Sequence, residues 1–133
     1  PIFDMAKATI DDLLKLDKVG GPVGVLATEA TLSAGNFQKS LAQAGFDLMT
    51  PGQKDMQMSV LPAISNVKVG NFDEALRLGV EAVESLLAQG AAHIVLACTE
   101  LPVALRAAPE SVKSRCIDTL DALARTCVTW AKS

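Results

Sequence analysis

Histidine and aromatic residues are scarce in this sequence, which has one histidine, one tryptophan, four phenylalanines and no tyrosine. The three cysteines, Cys98, Cys116 and Cys127, are widely spaced and form no Cys-x-x-Cys pair. With His93 as the one imidazole, neither a zinc site nor a disulfide framework is predicted. A cysteine hydrolase needs a histidine base beside its nucleophile. His93 comes just before the apolar run 94–97, a predicted strand, and Cys98 comes just after it. The two side chains are therefore expected at opposite ends of the strand, which argues against a cysteine hydrolase.

Long apolar runs and clusters of positive charge are also missing. The longest apolar stretches fall well short of the roughly 20 residues that a membrane helix needs. Charged residues such as Asp4 and Lys7 interrupt the N-terminal segment, so we expect neither a membrane span nor a signal peptide. Lysine and arginine total 12 against 15 acidic residues and are scattered, which argues against nucleic-acid binding. Thiols without a disulfide pattern favour a cytoplasmic protein.

Half of the 133 residues are apolar, enough for one domain with its own core. Segments with helical spacing alternate along the chain with short apolar runs that glycine or proline ends. Segment 53–64 has helical spacing but contains Pro62, and 68–71 is predicted to be a loop. Alternating strands and helices predict an α/β fold, a three-layer sandwich with a short, mainly parallel sheet. The predicted strands are 23–27, 46–49, 94–97 and 116–117, and the predicted helices are 2–16, 34–44, 72–89, 103–107 and 120–130.

The most informative stretch is the end of the third predicted strand, where three polar residues follow in a row: Cys98, Thr99 and Glu100. Open α/β sheets bind ligands outside the carboxyl ends of their strands. Backbone N–H groups of the helix that follows are expected to point at the thiol and lower its pKa. Such a thiol can accept and donate a proton. An unpaired cysteine is also commonly a small buried residue, which is the interpretation we favour for Cys116 and Cys127.

Hydroxyl groups follow the first predicted strand in the same way. Thr28 and Thr31, and also Thr50 after the second strand, are expected near the thiol, because parallel strands end at one edge. Hydroxyl and backbone N–H groups there suit a carboxylate. Alternatively, Thr31 and Ser33 only cap the next helix. Lys68 lies in a predicted glycine-containing loop that can cover the same edge.

Four segments of the sequence resemble one known family. Residues 96–102, Leu-Ala-Cys-Thr-Glu-Leu-Pro, resemble the second cysteine motif of the aspartate/glutamate racemase family. Ala30 and Phe37 stand where that family usually has glycine and tyrosine. The other matching segments, in the expected order, are Val25-Leu26-Ala27-Thr28 with Thr31, Gly35, Phe37 and Gln38, then Val67-Lys68-x-Gly70, then Ile117-Asp118-Thr119.

The resemblance implies an enzyme with two similar α/β lobes that face each other across a cleft, without cofactor or metal. Each lobe supplies one cysteine: one thiolate removes the Cα proton of an acidic amino acid, and the other thiol protonates the opposite face. It implies that Cys98 is one of these residues and that Thr28 and Thr99 bind substrate carboxylates. Lys68 and Glu100 are typical of the branch that acts on small dicarboxylates such as aspartate.

The resemblance covers only the second of the two lobes. We expect residues 1–119 to form that lobe, and residues 120–133 to form a helix that packs on a first lobe absent from this sequence. The chain alone is therefore expected not to racemise. Its expected partners are an amino-acid or dicarboxylate substrate, the first lobe and a second copy in a homodimer. Hydantoin racemases, maleate isomerases and arylmalonate decarboxylases remain alternatives, as does a non-catalytic carboxylate-binding domain.

Overall fold

The computed structural model describes residues 5–16 and 22–132. Each predicted strand is present to within two residues, and residues 2–4 of the first predicted helix lie outside the described residues. None of the described helices is long and apolar enough to cross a bilayer. The elements in chain order are α1 (Met5–Leu16), β1 (Val23–Leu26), α2 (Glu29–Ala34), α3 (Asn36–Gln43), β2 (Leu48–Met49), α4 (Gln53–Asp55), a π-helical turn (Met56–Val60), α5 (Leu61–Lys68), α6 (Phe72–Ala88), β3 (His93–Leu96), α7 (Glu100–Ala104), α8 (Glu110–Lys113), β4 (Cys116–Asp118) and α9 (Thr119–Lys132).

The described strands form a parallel sheet in the order β2-β1-β3-β4. Strands buried on both faces need apolar side chains throughout, which explains the short valine-rich and leucine-rich runs. The chain places β2 on one side of β1 and β3 on the other, so the strand order reverses between β1 and β3. Open α/β sheets bind ligands outside the carboxyl ends of the strands at such a switch point. The topology therefore marks the ends of β1 and β3 as the place for a site.

Helices cover both faces of the sheet, because side chains alternate along a strand with a period of two. On one face, the valines of β1 and β3 pack with Leu13 of α1 and Leu41 of α3. On the other face, Leu26 and Ile94 pack with α6 and with the helical segment 53–68. α9 contacts both α1 and β4. The predicted three-layer α/β architecture is confirmed.

Gly24 allows α6 to lie close against the sheet. A Cβ atom at this position would be 2.8 Å from the Cδ1 atoms of both Ile94 and Leu86. A glycine inside a strand often marks such a close approach of a neighbouring element. The absence of a side chain at Gly24 thus sets the spacing between the β1–β3 pair and α6.

The predicted helix at 34–44 is present as α3, and a further short helix, α2, precedes it after β1. Thr28 is the N-cap of α2, since its side-chain oxygen accepts a hydrogen bond from the N–H of Thr31 at 3.3 Å. Gly35 separates the two helices in the left-handed conformation, with φ of 72°. Ser33 lies within α2, so the prediction that it caps a helix is wrong.

The segment that contains Pro62 is helical as far as Lys68. The π-helical turn ends just before α5, so Pro62 falls in the first turn of an α-helical segment, where its missing N–H is tolerated. Lys68 is the last residue of α5, and its predicted place in a loop is wrong. The helix after β3 also differs from the predicted helix at 103–107: α7 begins at Glu100 and not at Val103.

Candidate active site

Thr28 and Cys98 lie beyond the ends of adjacent strands at the switch point of the sheet. Leu26 of β1 pairs with Leu96 of β3, and each site residue follows two positions later. The N–H of Ala97 donates to the Leu26 carbonyl at 2.8 Å, which continues the pairing past the strands. Adjacent strands are about 4.8 Å apart. The register therefore brings together the two segments that the sequence predicts to converge.

Cys98 is half-buried, and the pKa of its thiol is raised above the ordinary value. Burial is the main cause because it disfavours the thiolate, whereas hydrogen bonds from the backbone of Leu101 and Glu100 lower the pKa. The sequence-based expectation of a lowered pKa is thus wrong in net direction, since desolvation outweighs the backbone N–H groups. Those groups are nevertheless present, at the start of α7. The protonated thiol is the favoured form at neutral pH.

Two charged side chains act on the Cys98 thiol with opposite sign. The Glu100 carboxylate raises the pKa of the thiol, and the Lys68 ammonium at the end of α5 lowers it. The Thr99 hydroxyl donates a hydrogen bond to Oε2 of Glu100 at 2.9 Å, which holds that carboxylate in the turn beside the thiol. Lys68 on α5 and Glu100 on α7 therefore both act on the charge of the Cys98 thiol, and Thr99 is linked to Glu100 by its hydroxyl.

The hydroxyl groups of Thr28 and Thr31 are hydrogen-bonded to each other, with Thr28 as the donor at 3.1 Å. The Thr28 oxygen also accepts from the N–H of Thr31, so the side chain of Thr28 is occupied in capping α2. A hydroxyl group has one proton to donate. Thr31 is therefore the better placed of the two to donate to a bound carboxylate.

Thr50 does not reach the same level of the sheet. It follows β2, whose last residue, Met49, pairs with Gly24 of β1. Thr50 thus lies level with Val25, three residues before Thr28, which corresponds to about 10 Å along a strand. The expectation that Thr50 joins the cluster is wrong because β2 ends early.

The other candidates, His93, Cys116 and Cys127, lie within strands or a helix of the fold and not in the turn that contains Cys98. His93 is the first residue of β3, at the end opposite Cys98 as predicted. Cys116 lies on β4, and burial raises the pKa of its thiol to about 11, slightly opposed by the charge of Arg115. Cys127 is half-buried on α9. The high pKa of Cys116 agrees with a packing role for this residue.

Two residues at the end of β4 belong to the same edge but are not predicted as site residues. Asp118 pairs with Leu96, and its carboxylate accepts a hydrogen bond from the N–H of Asp121 at 3.4 Å, which caps α9. Thr119 is buried, and its hydroxyl donates to the Leu96 carbonyl at 3.1 Å. Asp-Thr after a short apolar run is typical of a helix start, which is the signal that could have identified them.

Among the residues that the structure describes, two clefts border β4, and Cys98 lines neither. The larger, about 400 Å³, lies between α1, α9 and β4 and contains Arg125, which pairs with Asp12 at 2.5 Å and Asp121 at 2.9 Å. The smaller, about 260 Å³, lies beside Leu96. Within the described ranges, no group of three or more His, Cys, Asp or Glu side chains is arranged to hold a metal ion. The strand ends, and not these clefts, define the candidate site.

The fold and the site define an α/β lobe with a cysteine at the switch point of a parallel sheet. Residues 1–127 match the sequence profile of a family described as Asp/Glu/Hydantoin racemase. The chain is also 33% identical over 108 residues to an uncharacterised protein of Pectobacterium carotovorum subsp. carotovorum, covering 81% of this chain and 71% of that protein. Because the profile spans nearly the whole sequence, the chain belongs to the Asp/Glu/hydantoin racemase family.

Solved structures share the fold. An aspartate racemase homologue from Pyrococcus horikoshii OT3 superposes with a TM-score of 0.82 at 21% identity, covering 100% of this chain and 57% of that one. The aspartate racemase of Picrophilus torridus superposes with a TM-score of 0.74 at 28% identity, covering 97% of this chain and 52% of that one. The chain thus spans little more than half the length of these solved proteins, which is consistent with one lobe of a racemase fold.

Proposed function

We propose that this chain supplies one acid–base lobe of a cofactor-independent racemase that acts on aspartate or glutamate. The observation that carries the proposal is the position of Cys98, at the carboxyl end of a central strand, level with Thr28 and within the field of Lys68. Membership of the racemase family supports the reaction class, and the charged and hydroxyl side chains near the thiol support an acidic substrate.

Inversion at Cα needs two groups on opposite faces of the carbon, because one group cannot both remove a proton from one face and deliver a proton to the other. The raised pKa of Cys98 keeps its thiol protonated, which is the form that donates a proton. In one reaction direction a thiolate from the facing lobe removes the Cα proton, and Cys98 protonates the other face. In the reverse direction the two groups exchange roles, and Cys98 acts as the base.

The surroundings of Cys98 favour an acidic substrate. Lys68 is exposed and close enough to influence the thiol, so its ammonium can pair with a substrate carboxylate. The hydroxyl of Thr31 can donate to a second carboxylate. The Glu100 carboxylate, which accepts from the Thr99 hydroxyl, can also accept from a substrate ammonium group. A hydantoin has neither carboxylate, which makes it the less suitable substrate.

The test is a substrate panel with the full-length polypeptide that contains these residues, using chiral chromatography of aspartate, glutamate and a hydantoin. We expect racemisation of an acidic amino acid. Lys68→Met should raise KM for that substrate, while Lys54→Met, which changes an exposed lysine on α4, should leave it unchanged. Turnover of the hydantoin without turnover of either amino acid would contradict the proposed substrate class.

The 133-residue chain alone is expected to give no racemisation, because the facing thiol comes from another lobe. Cys116 is unsuited to that role because its pKa is about 11 and it lies on an edge strand of the same sheet. Racemisation by the isolated chain, measured with the same chromatography, would contradict the two-lobe arrangement.

A further inference from the structure

We infer that Thr119 is a positioning residue for the Cys98 thiol, which it orients through a hydrogen bond to the Leu96 carbonyl. The inference rests on the proposed proton-transfer role of Cys98. Thr119 is 1% exposed, so it acts from inside the protein and not by contact with a substrate.

The peptide group between Leu96 and Ala97 is held at both of its polar ends. Its N–H, from Ala97, donates to the Leu26 carbonyl at 2.8 Å on the β1 side. Its C=O, from Leu96, accepts from the Thr119 hydroxyl at 3.1 Å on the β4 side. Because a peptide group is planar, two bonds in opposite directions prevent it from turning unless one of them breaks. Cys98 therefore follows a backbone whose direction is fixed.

The hydroxyl bonds to the Leu96 carbonyl at the point where the chain changes from strand to helix. β4 ends at Asp118, and Thr119 begins α9. The Thr119 side chain thus satisfies the last carbonyl of β3 while its own backbone turns into α9.

The position of Cys98 determines how well the backbone N–H groups of Glu100 and Leu101 stabilise its thiolate. Valine has the shape of threonine with a methyl group in place of the hydroxyl, so Thr119→Val removes the hydrogen bond with little change in volume. The Leu96–Ala97 peptide is then held by the Ala97–Leu26 bond without the one from Thr119, and the alignment of the thiol with those N–H groups weakens. A less stabilised thiolate reacts more slowly with an alkylating agent, since the thiolate is the nucleophile.

The test is iodoacetamide alkylation of the folded 133-residue chain across a pH series, with each cysteine followed separately by mass spectrometry. Below the midpoint of Cys98, we expect Thr119→Val to slow its alkylation about threefold to tenfold. Thr119→Ser keeps the hydroxyl and should restore the wild-type rate. Cys127 in the same sample is the internal control, and its rate should not change.

Equal Cys98 rates in the wild type and in Thr119→Val would overturn the inference without touching the proposed function, since the experiment involves no turnover. If Thr119→Val does not fold, comparing Thr119→Ala with Thr119→Ser gives the same contrast. In the full-length polypeptide, the substitution should lower kcat and leave KM for the acidic amino acid unchanged. A raised KM with unchanged kcat would contradict a positioning role.

Discussion

Thr28 and Cys98 occupy equivalent positions on adjacent parallel strands, each two residues beyond the last paired residue of its strand. Thr28 caps the N-terminus of α2. Cys98 lies just before α7, whose first N–H groups point at its sulfur. The same local arrangement of strand, polar residue and helix thus gives a hydroxyl at one strand end and a thiol at the next.

The charges beside Cys98 should shift its reactivity in opposite directions. Glu100→Gln removes the carboxylate that raises the pKa of the thiol, so alkylation below the midpoint should become about twofold to fivefold faster, the size expected for a partly exposed charge. Lys68→Met should slow the same reaction by a similar factor. Glu84→Gln on α6 and Lys54→Met on α4 are matched controls on exposed positions. Changes of equal sign in the two test variants would contradict this account.

The cap of α2 should contribute to the stability of the chain. Thr28→Ala removes the oxygen that accepts from the N–H of Thr31, and we expect the free energy of unfolding to fall by about 0.5–2 kcal/mol. Thr28→Ser retains the cap and should be nearly as stable as the wild type. Urea unfolding followed by circular dichroism measures both. Equal stability of the alanine and serine variants would mean that Thr28 has no capping role.

The close packing at Gly24 should make it intolerant of a methyl group. We expect Gly24→Ala to lower the free energy of unfolding by about 1–3 kcal/mol, because the new Cβ meets Ile94 and Leu86. Gly52 is the matched control: its φ is −64° and no atom lies within 4 Å of an added Cβ. Gly52→Ala should leave stability unchanged or raise it by about 0.4–1 kcal/mol. Unfolding curves that rank the two variants in the reverse order would contradict the packing described for α6.

The buried thiol of Cys116 should make the chain less stable at alkaline pH. Its folded-state pKa is about 11 against an ordinary value of 9.0, so the folded chain holds a proton that the unfolded chain releases between these values. Stability is then present below pH 9.0 and is lost as the pH rises towards 11, by about 3 kcal/mol in total. The absence of tyrosine removes one competing titration in this range. Cys116→Ala should flatten this part of the stability curve, and Cys127→Ala should not.

The sheet could be predicted from the sequence because its strands are apolar runs that glycine and proline delimit. The position of Cys98 followed from the same pattern, since the run ends abruptly in polar residues. The family resemblance then gave a reaction class that spacing alone could not give. These features depend on local sequence, which is why they were accessible without coordinates.

The features that the sequence could not give depend on contacts between distant segments. Ser33 and Thr28 are both good capping residues, and in the structure the helix starts after Thr28, so Ser33 falls inside it. The net pKa shift of Cys98 is a balance between burial and nearby N–H groups, and burial is a tertiary property. Likewise, the bond from Thr119 to Leu96 joins residues 23 positions apart in sequence, and no local pattern reveals it.

Deuterium incorporation at Cα tests whether Cys98 transfers a proton there. The full-length polypeptide, incubated with one enantiomer of aspartate or glutamate in deuterium oxide, should produce the other enantiomer with deuterium at Cα. Cys98→Ser should lower this inversion at least about a hundredfold, the usual contribution of a general acid–base group. Cys127→Ser, the control, should retain the wild-type rate. Inversion by Cys98→Ser at the wild-type rate would contradict the account.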